Sequence, residues 1–210
     1  MLGIKVLEER ESRYNGHLKV SRSLGFGTYI QAEGLTQSGG IVETIWKQTI
    51  NKVKSQKLKV RSCLILGLGG GTVAKPVRKN WPEVKITGID IDPIMIELGK
   101  KYLKLNDYKV KIIVGDAFDF PNLSNHPNRK YDLIFVDLYN GEEFPEKFET
   151  ENYIQLVRTV LSSRGMVVFN RTYYGDKRPK AVKFGNKLKK VFTNVEWFYP
   201  EANLMFICSE

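Results

Sequence analysis

The sequence contains few of the residues that build disulfide frameworks or metal centres. Its 210 residues include only two cysteines and two histidines. Cys63 and Cys208 each lie in an apolar segment, so we expect both to be small core residues. His17 and His126 are isolated from them and from each other along the chain. No metal site is therefore expected.

Long hydrophobic runs are also missing. The longest apolar runs, such as 133–136 and 166–169, have the length of strands, whereas a membrane helix needs roughly 20 residues. The chain begins Met-Leu-Gly-Ile-Lys-Val-Leu-Glu-Glu-Arg-Glu, which is too charged for a secretory signal. We therefore expect a cytoplasmic protein with no membrane partner.

Acidic residues are scarcer than basic ones. The chain has 33 Lys+Arg against 23 Asp+Glu, and its formal net charge of +10 would attract nucleic acid. The basic residues are spread along the whole chain, which favours a solvated surface, so nucleic acid is an alternative partner and not the favoured one. The densest basic segment predicts a helix whose polar face carries Lys177, Arg178, Lys180, Lys183, Lys187 and Lys190, while Val182, Leu188, Val191 and Phe192 pack inward.

Strand and helix patterns alternate through most of the chain. Hydrophobic residues make up 42% of the sequence, enough to bury one domain with a small appendage. The predicted strands are 62–67, 84–89, 110–114, 132–137, 166–170, 194–199 and 204–208, and the predicted helices are 73–80, 93–105, 150–162 and 180–191. This alternation predicts an α/β fold with a mostly parallel sheet and helices on both faces. The link 200–203 is too short for a crossover, so the last two strands must form an antiparallel hairpin.

The beginning of the chain predicts a small N-terminal β layer. Its predicted elements are strands at 4–7, 17–24 and 27–32 and a helix at 41–53. The helix should begin at Ser38 or at the glycine pair that follows it. We assign residues 1–54 to this unit and residues 55–210 to the main domain. Residues 122–129 predict an ordinary surface loop.

A glycine-rich loop follows the first strand of the main domain. It carries Gly67, Gly69 and Gly71, and Asp90 ends the next strand 19 residues after the last of them. Glycines let a nucleotide-like ligand lie against bare backbone, and a carboxylate at this spacing can accept hydrogen bonds from both ribose hydroxyls. A tight turn without a ligand is the alternative. Thr72 replaces the glycine that a dinucleotide fingerprint needs, and the remaining G-x-G-x-G resembles the nucleoside loop of class I S-adenosylmethionine-dependent methyltransferases.

Acidic residues also end or follow neighbouring strands of the predicted sheet. Asp90, Asp116 and Asp137 should meet at the crevice of the glycine loop, because ligands in such sheets bind beyond the carboxyl ends of the strands. Helix capping is the alternative for each of the three. Asp92 and Asp119, a few residues further along, are expected to be helix-cap or first-turn residues.

Residues beside these strand ends could contact a nucleoside directly. Asp116 is placed to accept a hydrogen bond from an adenine amine, and the backbone N–H of Ala117 would face a ring nitrogen. Ile91 lies beside Asp90 and joins the predicted cofactor-binding set.

Several segments extend this pattern over nearly the whole chain. In order, they are the glycine loop, Gly88-Ile-Asp-Ile-Asp-Pro, Gly115-Asp-Ala-Phe-Asp-Phe, Tyr131-Asp-Leu-Ile-Phe-Val-Asp and Glu142-Glu-Phe-Pro-Glu-Lys-Phe. This order resembles the spermidine synthase-like branch of the class I methyltransferase superfamily. The resemblance implies a Rossmann-like seven-stranded sheet with a C-terminal antiparallel hairpin, and S-adenosylmethionine or its decarboxylated form as cofactor. It also implies that Gln37 is a cofactor-binding glutamine and that the N-terminal β layer forms a homodimer.

Three departures from the aminopropyltransferase pattern bear on the reaction. Thr72 follows three glycines where those enzymes carry aspartate. The segment Trp46-Lys-Gln48 replaces their Tyr-(Gln/His)-Glu signature. Their Asp-Ser-Ser-Asp-Pro strand end is here Asp137-Leu-Tyr-Asn140-Gly, which keeps only the first carboxylate. A polyamine is a polycation whose site needs several carboxylates, so these changes weaken the case for a polyamine acceptor.

The sequence thus favours an S-adenosylmethionine-dependent methyltransferase with an unknown acceptor. Asp137 or Tyr139 would hold or deprotonate this acceptor. The first alternative is aminopropyl transfer from decarboxylated S-adenosylmethionine, with Asp137 as base and with Glu142 and Glu143 supplying the missing charge. The second alternative is a noncatalytic binding protein that keeps the fold. On the favoured interpretation, the protein forms no spermidine from putrescine.

Overall fold

The N-terminal β layer is an antiparallel sheet of four strands. The computed structural model describes residues 3–120 and 130–210, so the predicted loop 122–129, with His126, lies outside the described residues. The four strands are β1 (Lys5–Ser12), β2 (Gly16–Ser23), β3 (Gly27–Ala32) and β4 (Leu35–Gly39). Each strand pairs with the next one in the chain.

The large sheet is built from seven strands. They are β5 (Ser62–Leu66), β6 (Lys85–Asp90), β7 (Val110–Val114), β8 (Tyr131–Val136), β9 (Leu161–Thr172), β10 (Asn194–Phe198) and β11 (Asn203–Ser209). Their spatial order is β10-β11-β9-β8-β5-β6-β7. Strand β11 pairs antiparallel with both β10 and β9, and the other pairs are parallel. The predicted seven-stranded, mostly parallel sheet with its C-terminal hairpin is therefore confirmed.

Five α-helices accompany the sheets in the described part of the chain. They are α1 (Gly40–Ser55), α2 (Ala74–Asn80), α3 (Pro93–Tyr102), α4 (Glu151–Thr159) and α5 (Lys177–Val191). Asp92 begins α3, because its carboxylate accepts hydrogen bonds from two backbone N–H groups of the first turn and Pro93 occupies the first helical position. The predicted cap role of Asp92 is confirmed. No helix in the described ranges combines the length and apolar character needed to cross a membrane.

Apolar side chains fill both faces of the large sheet. One cluster lies between this sheet and helices α4 and α5, and the other lies between the sheet and helices α1 and α2. In the second cluster, Trp46 and Ile50 of α1 pack on the face that contains Cys63. Cys63 and Cys208 are buried free thiols, as expected, and burial raises the pKa of both. The boundary between residues 54 and 55 stays a prediction, although α1 packs on the large sheet.

A third apolar cluster joins the N-terminal layer to the large domain. Leu18 and Ile30 of the small sheet pack against Met95 and Leu98 of α3. This contact places the small sheet over the edge at which the glycine loop lies.

The structure corrects several predicted boundaries. The predicted helix 93–105 ends at Tyr102, and a 3₁₀ turn occupies Leu105–Tyr108. The predicted helix 150–162 ends at Thr159, because strand β9 begins at Leu161. Strand β4 was absent from the prediction, since its sequence Leu-Thr-Gln-Ser-Gly is polar and is flanked by glycines. Its pairing with β3 supplies the order that local propensity lacks.

Candidate active site

A cavity of about 670 Å³ opens where the carboxyl ends of β5, β6 and β8 meet the N-terminal layer. The predicted site residues on its wall are Gln37, Gly67, Gly69, Asp90, Ile91, Asp116, Ala117, Asp137 and Tyr139. The turn between β1 and β2 also reaches the wall through Tyr14 and Asn15. The small sheet therefore covers part of the cavity.

Packing contacts within the protein account for two of the glycines in the loop. Gly67 has a φ of +87°, and a Cβ there would lie 2.0 Å from the carbonyl oxygen of Asp137. Glycine is therefore required where β5 approaches β8. Gly71 has a φ of +92°, and its Cβ position faces the side chain of Leu105 at 2.5 Å. Gly71 does not line the cavity, so the structure gives this predicted cofactor residue a packing role instead.

The turn between β4 and α1 is tied to the glycine loop. The backbone N–H of Gly70 donates to Oγ of Ser38 at 2.8 Å, and the N–H of Gly39 donates to Oγ1 of Thr72 at the same distance. The glycine pair begins helix α1, and Ser38 binds the loop instead of capping that helix. Thr72 is buried, so the position that carries aspartate in aminopropyltransferases is here a neutral structural contact.

Asp90 holds the loop from the neighbouring strand. Its Oδ2 accepts a hydrogen bond from the N–H of Gly69 at 2.6 Å, and its Oδ1 accepts one from the N–H of Asp92 at 2.9 Å. Burial raises the pKa of Asp90 to about 6, although these backbone donors oppose the increase. The carboxylate therefore positions the loop and still lies on the cavity wall.

Asp116 lies on the wall and also caps a short turn. Its Oδ1 accepts a hydrogen bond from the N–H of Phe118 at 2.8 Å, which begins the 3₁₀ turn Ala117–Asp119. Its other oxygen forms an ion pair with Lys147. Asp116 therefore caps this turn, while its role in cofactor binding stays a prediction, and Asp119 lies in the first turn as expected.

Asp137 is a buried carboxylate with a side-chain hydrogen bond on each oxygen. Its Oδ2 accepts a hydrogen bond from Nε1 of Trp46 at 3.1 Å, and its Oδ1 accepts one from Nδ2 of Asn170 at 2.8 Å. Burial raises the pKa of Asp137 to about 6, the two hydrogen bonds oppose this increase, and the charge of Asp90 adds to it. An ionised carboxylate with such a pKa suits a general base near neutral pH.

Sequence reasoning missed Asn170 and did not assign Trp46 to the site. Asn170 ends the predicted strand 166–170, so the rule that located Asp90 and Asp137 could have found it. Trp46 gave no such signal, because its contact with Asp137 depends on how α1 packs across the sheet.

Tyr139 is less suited to proton transfer than the sequence suggested. Its hydroxyl accepts a hydrogen bond from the N–H of Thr172 at 2.8 Å and lies 3.4 Å from the carbonyl oxygen of Asn170. Burial raises the pKa of Tyr139 above its usual value. The structure thus favours Asp137 over Tyr139 as the base, and the tyrosine anchors its loop to β9.

The remaining predicted residues lie on the loop after β8 or contact it. Gln37 donates a hydrogen bond from Nε2 to the carbonyl oxygen of Gly141 at 2.9 Å, which ties β4 to this loop. Glu142 and Glu143 both lie near Nζ of Lys177, at 3.1 and 3.7 Å. Their charge is thus partly neutralised within the chain, and the suggestion that they replace the missing aspartates is weakened.

The wall suits a nucleoside better than a metal ion. Asp90 and Asp116 offer acceptors to hydroxyl and amine groups, and bare glycine backbone lies between the strands. Among residues 3–120 and 130–210, no three His, Cys, Asp or Glu side chains are arranged to hold a metal ion.

Comparisons with known proteins agree with this arrangement. The family model of the spermine/spermidine synthase domain matches residues 43–201. A polyamine aminopropyltransferase of Vibrio vulnificus is 31% identical over 113 residues, which are 53% of this chain but 38% of that protein. An eEF1A lysine and N-terminal methyltransferase homolog of Drosophila melanogaster is 25% identical over 143 residues, 64% of this chain and 21% of that protein. The chain thus spans less than half the length of either relative.

One solved structure has a similar fold over almost the whole chain. A spermidine synthase crystallised with a transition-state analogue superposes with a TM-score of 0.80 at 18% identity, covering 98% of this chain and 73% of that one. At this identity the likeness concerns the fold alone.

Proposed function

Because the chain belongs to the spermine/spermidine synthase domain family of transferases, we propose that it transfers an aminopropyl group from decarboxylated S-adenosylmethionine to an amine. The sequence favoured methyl transfer, but the aminopropyltransferase relative and the family model support the alternative better. The observation that carries the proposal is the buried carboxylate of Asp137 with its pKa of about 6.

Asp137 would act as the general base. An aliphatic ammonium has a pKa of about 10, so an amine acceptor must lose a proton before its lone pair can attack. The carboxylate lies on the cavity wall, is ionised at neutral pH and is oriented by two neutral donors. A positioned base of this kind contributes about 10²–10⁴-fold to the rate. A cavity-facing base of this kind favours an enzyme over a noncatalytic binding protein.

The other predicted residues on the cavity wall would bind the cofactor. Asp90 would accept from the ribose hydroxyls, while Asp116 and the N–H of Ala117 would contact the adenine. The backbone of Gly67 and Gly69 lies on the cavity wall, where the nucleoside would rest against it. When bound, the cofactor supplies an aminopropyl group on a sulfonium, which is already an activated leaving group. The chain would then act mainly by positioning the acceptor and accepting its proton.

Methyl transfer remains a second candidate because one observation favours it. Thr72 and Asn140 supply no carboxylate, and Glu142 is paired with Lys177, so these positions offer a polycation less negative charge than the aminopropyltransferase pattern does. The Drosophila relative is named a methyltransferase, which agrees with this candidate.

The products distinguish the two reactions. The purified protein is incubated with S-adenosylmethionine or its decarboxylated form and a panel of mono-, di- and triamines, and the nucleoside product is identified by mass spectrometry. We expect 5′-methylthioadenosine from the decarboxylated cofactor, with kcat/KM reduced 10²–10⁴-fold in Asp137→Asn. Formation of S-adenosylhomocysteine alone would refute aminopropyl transfer and support the methyl candidate.

A gain-of-function variant tests the charge argument. We expect putrescine to be a poor acceptor for the native protein, because Thr72 and Asn140 stand where the aminopropyltransferase pattern has carboxylates. The double variant Thr72→Asp/Asn140→Asp should raise kcat/KM for putrescine at least tenfold. The matched control Thr72→Asn/Asn140→Gln changes size without adding charge and should give no increase. Efficient spermidine synthesis by the native protein would show that the missing carboxylates are not needed.

A further inference from the structure

A chain of hydrogen bonds leads from the C-terminal hairpin to Asp137. Nδ2 of Asn203 donates to Oδ1 of Asn170 at 2.8 Å, and Nδ2 of Asn170 donates to Oδ1 of Asp137 at 2.8 Å. We propose that Asn170 is a positioning residue that orients the Asp137 carboxylate, and that Asn203 acts through it by fixing its amide. This inference rests on the proposed function of Asp137 as the base.

The two bonds determine the direction of the Asn170 amide. A carboxamide has an acceptor end and a donor end, and rotation by 180° exchanges them. The ionised carboxylate of Asp137 can only accept, so the nitrogen of Asn170 faces it, and the oxygen of Asn170 then accepts the N–H of Asn203. The reversed amide would place two donors against each other at Asn203 and two acceptors against each other at Asp137. Asn170 is buried, and water cannot readily compensate for such a mismatch.

The sheet topology brings the three residues together. Strands β8, β9 and β11 are neighbours, and the residues lie near the ends of these strands that face the cavity. Asn203 is the first residue of β11, directly after the turn that contains Glu201 and Ala202, and these three residues line the cavity as well. A change at this turn can therefore reach the base through two hydrogen bonds.

The amide of Asn170 should keep Asp137 ionised. Its N–H group lowers the pKa of Asp137 against the larger effect of burial, and Nε1 of Trp46 acts in the same direction on the other oxygen. The titratable or charged groups that share the cavity with Asp137 are Tyr14, Asp90, Asp116, Tyr139, Glu142, Lys147, Tyr174 and Glu201. Of these, Asp90 raises the pKa of Asp137 by repulsion. Loss of the Asn170 donor should consequently raise the pKa further.

A double-mutant cycle tests the connection. The variants Asn170→Ala, Asn203→Ala and the double variant are compared by the pH dependence of kcat/KM and by ¹³C NMR titration of the Asp137 carboxyl group. We expect Asn170→Ala to raise the acidic limb and the NMR pKa by about one unit, and Asn203→Ala to raise both by less. In the Asn170→Ala background, Asn203→Ala should add no further shift, because its effect is transmitted through the missing amide.

Controls separate this inference from its premise and from loss of folding. Asn194→Ala on β10 removes an amide bonded to the carbonyl oxygen of Glu210 and should change neither quantity. If Asn170→Ala does not fold, Asn170→Ser takes its place. Its hydroxyl is a smaller donor, so we expect the pKa of Asp137 to rise by less than in Asn170→Ala. Unchanged pKa values in the Asn170 variants, or additive shifts in the double variant, would overturn the inference. If no amine is a substrate, the proposed function fails, but the NMR titration still decides whether Asn170 and Asn203 act in series.

Discussion

The indole Nε1 of Trp46 donates a hydrogen bond of 3.1 Å to Oδ2 of Asp137, although 91 positions separate the two residues in the sequence. The indole is fully buried and packs edge-on against Phe135, with ring centroids 5.5 Å apart. Helix α1 thus contributes a donor to the carboxylate that we propose as the base. Because an indole can only donate, this contact favours the ionised form of Asp137.

Removal of the indole donor should shift the pH dependence of the reaction. Trp46→Phe keeps an aromatic ring against Phe135 but removes the hydrogen bond to Asp137. We expect the acidic limb of kcat/KM to move upward by about one pH unit, because a hydrogen bond to a charged group contributes about 1.5 kcal/mol or more. Trp81→Phe, in the same apolar cluster, is the control. An unmoved limb with normal folding would contradict the assigned contact.

The pH dependence of stability should reveal the raised pKa values of Asp90 and Asp137. The pKa of Asp90 and that of Asp137 are each raised from 3.8 to about 6 by burial. Each group binds its proton more tightly in the folded state, so its stabilising contribution is complete below about pH 4 and is lost as the pH rises through 6. We expect the free energy of unfolding in urea to be about 1–3 kcal/mol higher at pH 5 than at pH 7. A lower value at pH 5 would refute this prediction.

Glu8 has a lowered pKa, so it limits this gain in stability at lower pH. Hydrogen bonds from Lys101 and Tyr102 lower the pKa of Glu8 to about 2. The stabilisation from Glu8 is present above its unfolded pKa near 4.5 and is lost as the pH falls towards 2. Stability should therefore pass through a maximum near pH 4, and Glu8→Gln should flatten the acidic side of the curve.

Asp90 should affect both cofactor binding and folding. Asp90→Ala removes the proposed acceptor for the ribose hydroxyls, and we expect the affinity for 5′-methylthioadenosine to fall at least tenfold in isothermal titration. The variant should also lose about 1–3 kcal/mol of stability, because the N–H groups of Gly69 and Asp92 lose their acceptor. The exposed Asp107 provides a control, Asp107→Ala, for which neither quantity should change. Unaltered affinity in Asp90→Ala would remove Asp90 from the proposed site.

The N-terminal layer should form the proposed homodimer. The β2–β3 turn exposes Leu24 and Phe26, whose side chains are 84% and 61% accessible, and Ile4 and Val6 are exposed on the same small sheet or just before it. We expect light scattering to give twice the mass of one chain for the native protein and the mass of a single chain for Leu24→Asp/Phe26→Asp. Tyr199→Asp, an exposed aromatic position beyond β10, should remain dimeric. A monomeric native protein would exclude the dimer.

Nucleic-acid binding should be weak. On helix α5, Lys177 contacts Glu142, Lys190 contacts Glu151 at 2.6 Å, and Lys187 donates to the carbonyl oxygen of Glu149 at 2.9 Å. These internal contacts reduce the charge that the predicted basic face can offer, although the predicted helix itself is present. We expect fluorescence anisotropy with single-stranded RNA to detect only weak binding that disappears between 50 and 200 mM salt, a range in which non-specific contacts weaken about 10³-fold or more. Tight, salt-resistant binding would make nucleic acid the favoured partner.

The packed face of that helix differs slightly from the prediction. Leu188, Val191 and Phe192 are buried as expected, while Val182 is only half-buried. Ala181 and Phe184 take the inward positions at that end of the helix. The apolar spacing predicted the helix correctly, and the position of the neighbouring strands decided which side chains it buries.

Local sequence patterns are sufficient to predict the large sheet and the edge at which the cavity lies. Short apolar runs alternating with helical patterns require parallel strands joined by crossovers, and parallel strands place their carboxyl ends at one edge. Asp90, Asp116 and Asp137 could be located there because each ends or follows a strand in a recognisable motif. Such information is local, since strand length, side-chain alternation and turn residues act over a few positions.

The contacts of each of these carboxylates depend instead on tertiary packing. The partners of Asp137 come from α1 and β9, the partner of Asp116 comes from the loop after β8, and Thr72 meets the turn before α1. These contacts depend on the angles and distances at which helices and loops pack on the sheet. Local sequence patterns do not encode such geometry, because it results from filling the whole core at close packing. For this reason the position of the proposed base was predictable, whereas the hydrogen bonds that orient it and adjust its pKa were not.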